Sequence, residues 1–276
     1  MPVYAPTMAG GAVLITGASS GIGSACARLL DQRGFEVLGT SRRDPAELSD
    51  RPAGVRWIQL DVDDETSVQT GFRTALGLAP DLAAVVCNAG FGIFGSLEEV
   101  PIEAARMQFE TNVFGVLRTL RAALPHLRAR GAGRVVLVGS LAGRAPIPFQ
   151  GHYSASKAAT EALALSLRNE LRPHGVHVSL VEPGDIQTPF NTATDFGLAV
   201  DSAYGERIAR CRQVIEESLP RAPGPERVAR VVHRALTARR PRVRYTVGPD
   251  SWLVPFGRRF LPDSLMLRFI RAHFRV

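Results

Sequence analysis

The apolar run Ala12-Val13-Leu14-Ile15 passes through Thr16 directly into Gly17-Ala18-Ser19-Ser20-Gly21-Ile22-Gly23, and a helical pattern follows through Leu30. A short continuous apolar run reads as a buried strand, and a glycine turn that opens a helix leaves few folds available. Glycines let the backbone turn tightly and come close to a ligand, while the free amides and dipole of the helix start attract negative charge. Strand, glycine turn and helix therefore form a cradle for a phosphate or pyrophosphate.

Further strand-like segments recur near residues 35, 56, 82, 134, 176 and 243, with helical stretches between them. Alternating strand and helix predicts an α/β fold with a parallel sheet covered on both faces, its ligand at the carboxyl ends of the strands. The 276 residues suit one domain, 1–276, with no internal repeat or long linker. Residues 1–10 lack a basic segment followed by an apolar one, so they read as a loose extension, with Met8 an alternative start, rather than as a signal peptide. No apolar stretch reaches the 18 residues of a membrane span, and Cys26, Cys87 and Cys211 are widely spaced. A cytoplasmic protein with reduced thiols and no metal site is expected.

Lys157 is the chain's single lysine; its other 32 basic residues are arginines. Coding bias toward arginine accounts for the majority but not for the exception. An ammonium is compact and its pKa moves readily, whereas guanidinium is planar and always charged. Tyr153 stands four residues earlier in Tyr153-Ser154-Ala155-Ser156-Lys157, which opens an Ala- and Leu-rich stretch to Leu171, closed by Pro173. This reads as a helix that puts phenol and ammonium on one face. Bringing a tyrosine from its ordinary pKa of about 10 to near 7 requires about 4 kcal/mol, within reach of one ammonium plus a positive cofactor ring in a dry site. Ser140 ends the apolar run 134–138, where a hydroxyl can hydrogen-bond a substrate carbonyl. His152 is adjacent but is not needed by this chemistry.

These residues resemble the short-chain dehydrogenase/reductase family: Thr16 to Gly23 at the first strand, Asn88-Ala89-Gly90 after the fourth, then Ser140, Tyr153 and Lys157. The likeness spans roughly residues 10–250. It implies a Rossmann-type, doubly wound parallel sheet with a substrate lid over about 185–220, and Asn112 as the fourth catalytic member. The spacing of Gly17, Gly21 and Gly23 is similar to the simple oxidoreductase branch. The resemblance also implies cofactor contacts from Gly17, Ser19, Ser20, Gly21, Ile22, Gly23, Asp61, Val62, Asn88, Ala89, Gly90, Tyr153, Lys157, Pro183, Gly184, Ile186 and Thr188. Cys87 stands where many members carry a second asparagine. A weaker likeness to hydroxysteroid and retinol dehydrogenases lies in Pro146-Ile147-Pro148-Phe149 and Tyr245-Thr246-Val247-Gly248.

The second strand ends in Ser41-Arg42-Arg43. An acid near this place suits the ribose hydroxyls of NAD, whereas arginine accommodates the extra phosphate of NADP. Arg42, helped by Arg43 or Ser19, predicts NADP(H); Asp44, before Pro45, reads as a turn residue. Substrate-facing groups are expected from Phe91, Ile93, Phe94, Leu141, Phe149 and Phe190. They are mostly apolar and favour a hydrophobic ketone, aldehyde or alcohol. A protein that binds NADPH without turnover, as a sensor or scaffold, is the alternative; its usual mark is a broken catalytic set, and this set is complete.

Residues 221–276 carry 13 arginines against three acids, and residues 250–276 form a basic amphipathic appendix rich in Trp, Phe and Leu. Such a segment can touch a membrane surface, or it can pack on the substrate lobe or on a second subunit. No nucleic-acid-binding module accompanies the charge. Small residues at Ala155, Ala158, Ala159 and Ala162 permit close helix contact, either in a homodimer, as in many relatives, or against the chain's own sheet.

Overall fold

Seven strands, β1 (Ala12–Ile15), β2 (Glu36–Ser41), β3 (Val55–Gln59), β4 (Ala84–Cys87), β5 (Gly133–Val138), β6 (Val176–Pro183) and β7 (Arg244–Val247), form one parallel sheet in the order 3-2-1-4-5-6-7. Every strand lies where an apolar run foretold it. This is a computed structural model, and it describes residues 10–49, 51–189, 202–248 and 251–276. The expected leader 1–9, Met8 included, and Phe190 lie outside the described residues.

Side chains alternate across the sheet, as the two-residue period of a strand requires. Ala12 and Leu14 of β1 join one apolar cluster, together with α2 (Glu65–Leu78), α4 (Gly115–Ala129) and α5 (Gly151–Glu170). Val13 and Ile15 point the other way, into a second cluster with α1 (Gly21–Gln32) and α7 (Pro225–Thr237). Both faces of the inner strands are covered, so β1 and β4 read as unbroken apolar runs, whereas the edge strands β3 and β7 alternate buried with partly exposed positions. Arg134 is buried within β5, where it donates to the carbonyls of Leu236 and Ala238 at 3.2 and 3.0 Å, satisfying the end of α7.

The remaining helices are α3 (Ile102–Phe109), α6 (Gly205–Ser218), α8 (Leu253–Phe260) and α9 (Asp263–Phe274). Between α3 and α4 the chain makes a π turn over Glu110–Phe114, a feature no sequence pattern announced. No described helix is long and apolar enough to cross a membrane. The chain order reverses between β1 and β4, which opens a crevice at their carboxyl ends.

Candidate active site

Helix α5 places Tyr153 and Lys157 one turn apart and buries both. The Lys157 ammonium lies 5.8 Å from the centre of the Tyr153 ring and donates to the Val138 carbonyl at 3.0 Å. Ser140, just past β5, hydrogen-bonds the Tyr153 hydroxyl, accepts from the Ala142 amide at 3.1 Å and donates to Pro183 O at 3.4 Å. Asn112 sits in the π turn. Its amide group donates to Phe91 O and Ser156 Oγ, both at 2.9 Å, and its Oδ1 accepts from Phe91 N at 3.0 Å. The extra residue of a π turn rotates a side chain off the regular helix face, and such turns recur at functional sites. Here it hooks Asn112 onto the strand-end loop and onto α5.

In the polypeptide alone the two groups respond mainly to burial. It pushes the Tyr153 phenol up to about 12, against the lowering effect of Ser140, and drives Lys157 down to about 8. Desolvation penalises both charged forms. The lowered phenol expected from the sequence depended on an ammonium together with a positive cofactor ring. Burial also lowers His152, which does not line the cavity with the described residues, and it raises Cys26, Cys87 and Cys211 to about 12, leaving inert thiols.

The glycine loop is tied together by its neighbours. Thr16 Oγ1 accepts from the amides of Asn88 and Ala89 at 3.0 and 3.1 Å, and Asn88 Nδ2 donates to the carbonyls of Thr16 and Gly17 at 3.0 and 3.1 Å. Asn88 thus lines the crevice while its amide is spent holding β1 to β4. Gly17 and Gly21 have φ of +64° and +51°, a region that favours glycine. Gly23, expected as a cofactor contact, does not line the cavity. A Cβ there would fall 2.2 Å from the Gly17 carbonyl, so its role is close packing of helix on loop.

One cavity of about 1340 Å³ joins these parts. Its walls include Gly17, Ser19, Ser20, Gly21, Ile22, Arg42, Arg43, Asp61, Val62, Ala89, Gly90, Ser140, Tyr153, Lys157, Pro183, Gly184, Ile186 and Thr188. The fit to a dinucleotide is visible at Gly21, where a Cβ would aim at Thr188, 3.4 Å away on the facing wall. A Cβ on Gly90 would come within 2.9 Å of Asn112 Oδ1 and 3.6 Å of the Lys157 ammonium. At the far end, Arg42 and Arg43 are exposed, and Asp44 turns away to cap a 3-10 turn, accepting from the Ala46 amide at 2.8 Å. Asp63 and Thr111 also line this end, joined by a 2.8 Å hydrogen bond. Neither residue stood out in the sequence.

The apolar wall is where expectation and structure part. Phe91 and Leu141 line the cavity, but Ile93, Phe94 and Phe149 do not. Ile93 is buried with Val100 and Ala104, and Phe149, at φ +61°, packs between Phe94 and Tyr204. Their place is taken by α8 and α9, through Leu253, Val254, Phe256, Leu261, Leu265, Met266, Phe269, Ile270 and Phe274. The spacing 265, 266, 269, 270, 273, 274 is one helix face, legible in the sequence as amphipathy but not as a cavity wall. The segment after β6 is anchored where Ser218 donates to Asp185 Oδ2 at 2.9 Å and Gln187 donates to Pro220 O at 2.9 Å.

Comparison with known proteins matches residues 11–196 to the family described as short chain dehydrogenase. Over 96% of this chain and 98% of the relative, the sequence is 32% identical to the 3-ketodihydrosphingosine reductase of Bacteroides thetaiotaomicron. It is 36% identical to human 17-beta-hydroxysteroid dehydrogenase type 1 over 97% of this chain and 86% of that one. A short-chain dehydrogenase structure from Streptomyces avermitilis superposes with a TM-score of 0.81 at 32% identity, covering 94% of this chain and 95% of the other.

Proposed function

Because this chain belongs to the short-chain dehydrogenase/reductase family, and is thus an NAD(P)-binding oxidoreductase, we propose that it uses NADP(H) to interconvert a hydrophobic ketone or aldehyde and its alcohol. The observation that carries this reading is that one cavity joins two exposed arginines, a buried Tyr-Lys pair with Ser140 beside it, and an apolar helical wall. Arg42 and Arg43 would meet the 2′-phosphate of the adenosine ribose, and the acid next to them in sequence, Asp44, is engaged in its own turn. Gly17 to Ile22 line the cavity at the start of α1 and would hold the pyrophosphate, while Asp61 and Val62 would flank the adenine. Pro183, Gly184, Ile186 and Thr188 bound the nicotinamide end of the cavity.

The nicotinamide supplies or accepts the hydride. In the reducing direction Tyr153 gives its phenolic proton to the carbonyl oxygen as the hydride reaches the carbon, so a C=O bond becomes CH–OH. Ser140, which hydrogen-bonds the Tyr153 hydroxyl, orients the same oxygen. Lys157 would hold the nicotinamide ribose hydroxyls and relay protons between Tyr153 and a water fixed by Asn112, on the far side of the ammonium from the phenol. A dry site strengthens each of these contacts.

The two curated relatives are named for a ketodihydrosphingosine and a hydroxysteroid, which supports a large apolar substrate. Ala155, Ala158 and Ala162 of α5 are exposed rather than packed on the sheet, which supports a homodimer through this helix. Initial rates with NADPH and NADH against ketones graded in size test the proposal. Faster turnover with NADPH and with longer apolar ketones is expected. A marked preference for NADH would remove the arginine reading, and NADPH binding with no ketone reduced would favour the sensor alternative.

A further inference from the structure

We propose that α8 and α9 dock with their outer faces on an anionic lipid surface, so that the wall of the active cavity lies between the bilayer and the catalytic groups. The proposal rests on the reading of that cavity as the substrate site and extends it to the source of the substrate, a carbonyl or alcohol lipid dissolved in the membrane.

The two faces of α9 have separate tasks. Leu265, Met266, Phe269, Ile270, His273 and Phe274 line the cavity. Leu267, Arg268 and Arg271 occupy the opposite face and are exposed, Leu267 by 53%. In α8 and the residue before it the division repeats. Leu253, Val254 and Phe256 face the cavity, while Trp252 and Phe260 stand 69% and 62% exposed and line no part of it. A tryptophan, a phenylalanine and a leucine in water on two adjacent short helices are costly unless a partner covers them.

Charge decides between partners. Asp263 is the single acid of the two helices, and it is paired with Arg258 at 2.6 Å. Arg275 pairs with Glu217 at 3.3 Å. Arg259, whose guanidinium lies 5.5 Å from the Phe260 ring centre, forms no salt bridge among the described residues, and neither do Arg268 and Arg271. A second copy of so basic a surface would bring like charges together, whereas anionic headgroups complement the arginines and the interfacial region accepts the indole and phenyl rings. Continuity with the cavity supplies the reason for docking: one layer of helix separates the bilayer from the apolar wall, and an apolar substrate need not cross water.

Flotation of the full chain with vesicles of phosphatidylcholine containing 30% phosphatidylglycerol, against pure phosphatidylcholine, tests this. Most of the protein is expected to float with anionic vesicles, with at least fivefold less on the neutral ones and a decline in high salt. The triple variant Arg259→Glu/Arg268→Glu/Arg271→Glu, and separately Trp252→Ser/Phe260→Ser, should lose that binding. Arg106→Glu/Arg121→Glu/Arg128→Glu, an equal charge change on α3 and α4, should keep it. Equal loss in this control would reduce the effect to net charge and overturn the proposal. So would unchanged flotation of the α8–α9 variants, or an outer face found by size-exclusion chromatography to be covered by a second copy. NADPH oxidation with a short, water-soluble ketone serves as the independent reading: if flotation holds and no ketone is reduced, the docking surface stands and the proposed function falls.

Discussion

The glycine cradle and the α8–α9 pair line the same cavity but are held in different ways. In the cradle, positive φ angles, a Gly23 with no room for a Cβ and the Thr16-Asn88 hydrogen bonds leave the backbone one arrangement. The C-terminal helices bury no described residue but Gly257 and leave Trp252, Phe256, Phe260 and Phe269 more than half exposed. In the proposed function, chemistry that depends on sub-ångström placement sits on the sheet, and recognition of an apolar body is left to elements with few buried contacts, which repack at small cost. A cofactor shared by many enzymes needs the first; a substrate that varies in shape tolerates the second.

The largest expected effect breaks the chemistry while sparing both walls. Tyr153→Phe should lower turnover by about 10²–10⁴-fold, the range for loss of a positioned proton donor. NADPH affinity, read by fluorescence titration, should stay near normal; retained turnover would remove Tyr153 from the reaction.

A second test asks how dry the catalytic side is. Lys157 falls from an ordinary 10.5 to about 8, so folding disfavours its protonated form. That penalty is complete below pH 8 and fades as the pH rises toward 10.5. The unliganded protein should therefore gain about 2 kcal/mol relative to Lys157→Met between pH 8 and 10, measured by urea unfolding. A difference that does not change with pH would mean the ammonium is solvated.

Smaller effects separate the two ends of the cavity. Arg42→Ala should weaken NADPH binding by about tenfold and leave NADH binding unchanged, as for loss of one charge-assisted phosphate contact. Met266→Ala should raise KM for a long apolar ketone by about fivefold, with no change for a short one or for NADPH. If Met266→Ala altered cofactor affinity instead, the contrast between the two walls would fail.

Much of this was legible before any coordinates. The inner strands appeared as apolar runs because both faces of a parallel sheet are buried there, and Tyr153 and Lys157 appeared as partners because four residues make about one helical turn. The cofactor loop was equally plain, apart from Gly23, whose place is to pack rather than to touch. Phe94 and Phe149 were expected on the substrate wall because they are apolar and near the catalytic residues in sequence. Instead they pack on each other, with Phe149 also against Tyr204, just before α6.

The sequence by itself determined the fold class, the glycine cradle and the pairing of Tyr153 with Lys157, since these follow from φ preference, hydrophobic period and spacing within one element; Asn112 was placed beside them only through the resemblance to the family. The tertiary structure alone decided which apolar residues line the cavity, how the π turn hooks Asn112 to Ser156, and that burial raises the phenol and lowers the ammonium. Those depend on which distant segment covers a group and how much water it loses. A pattern of neighbours along the chain does not carry that information.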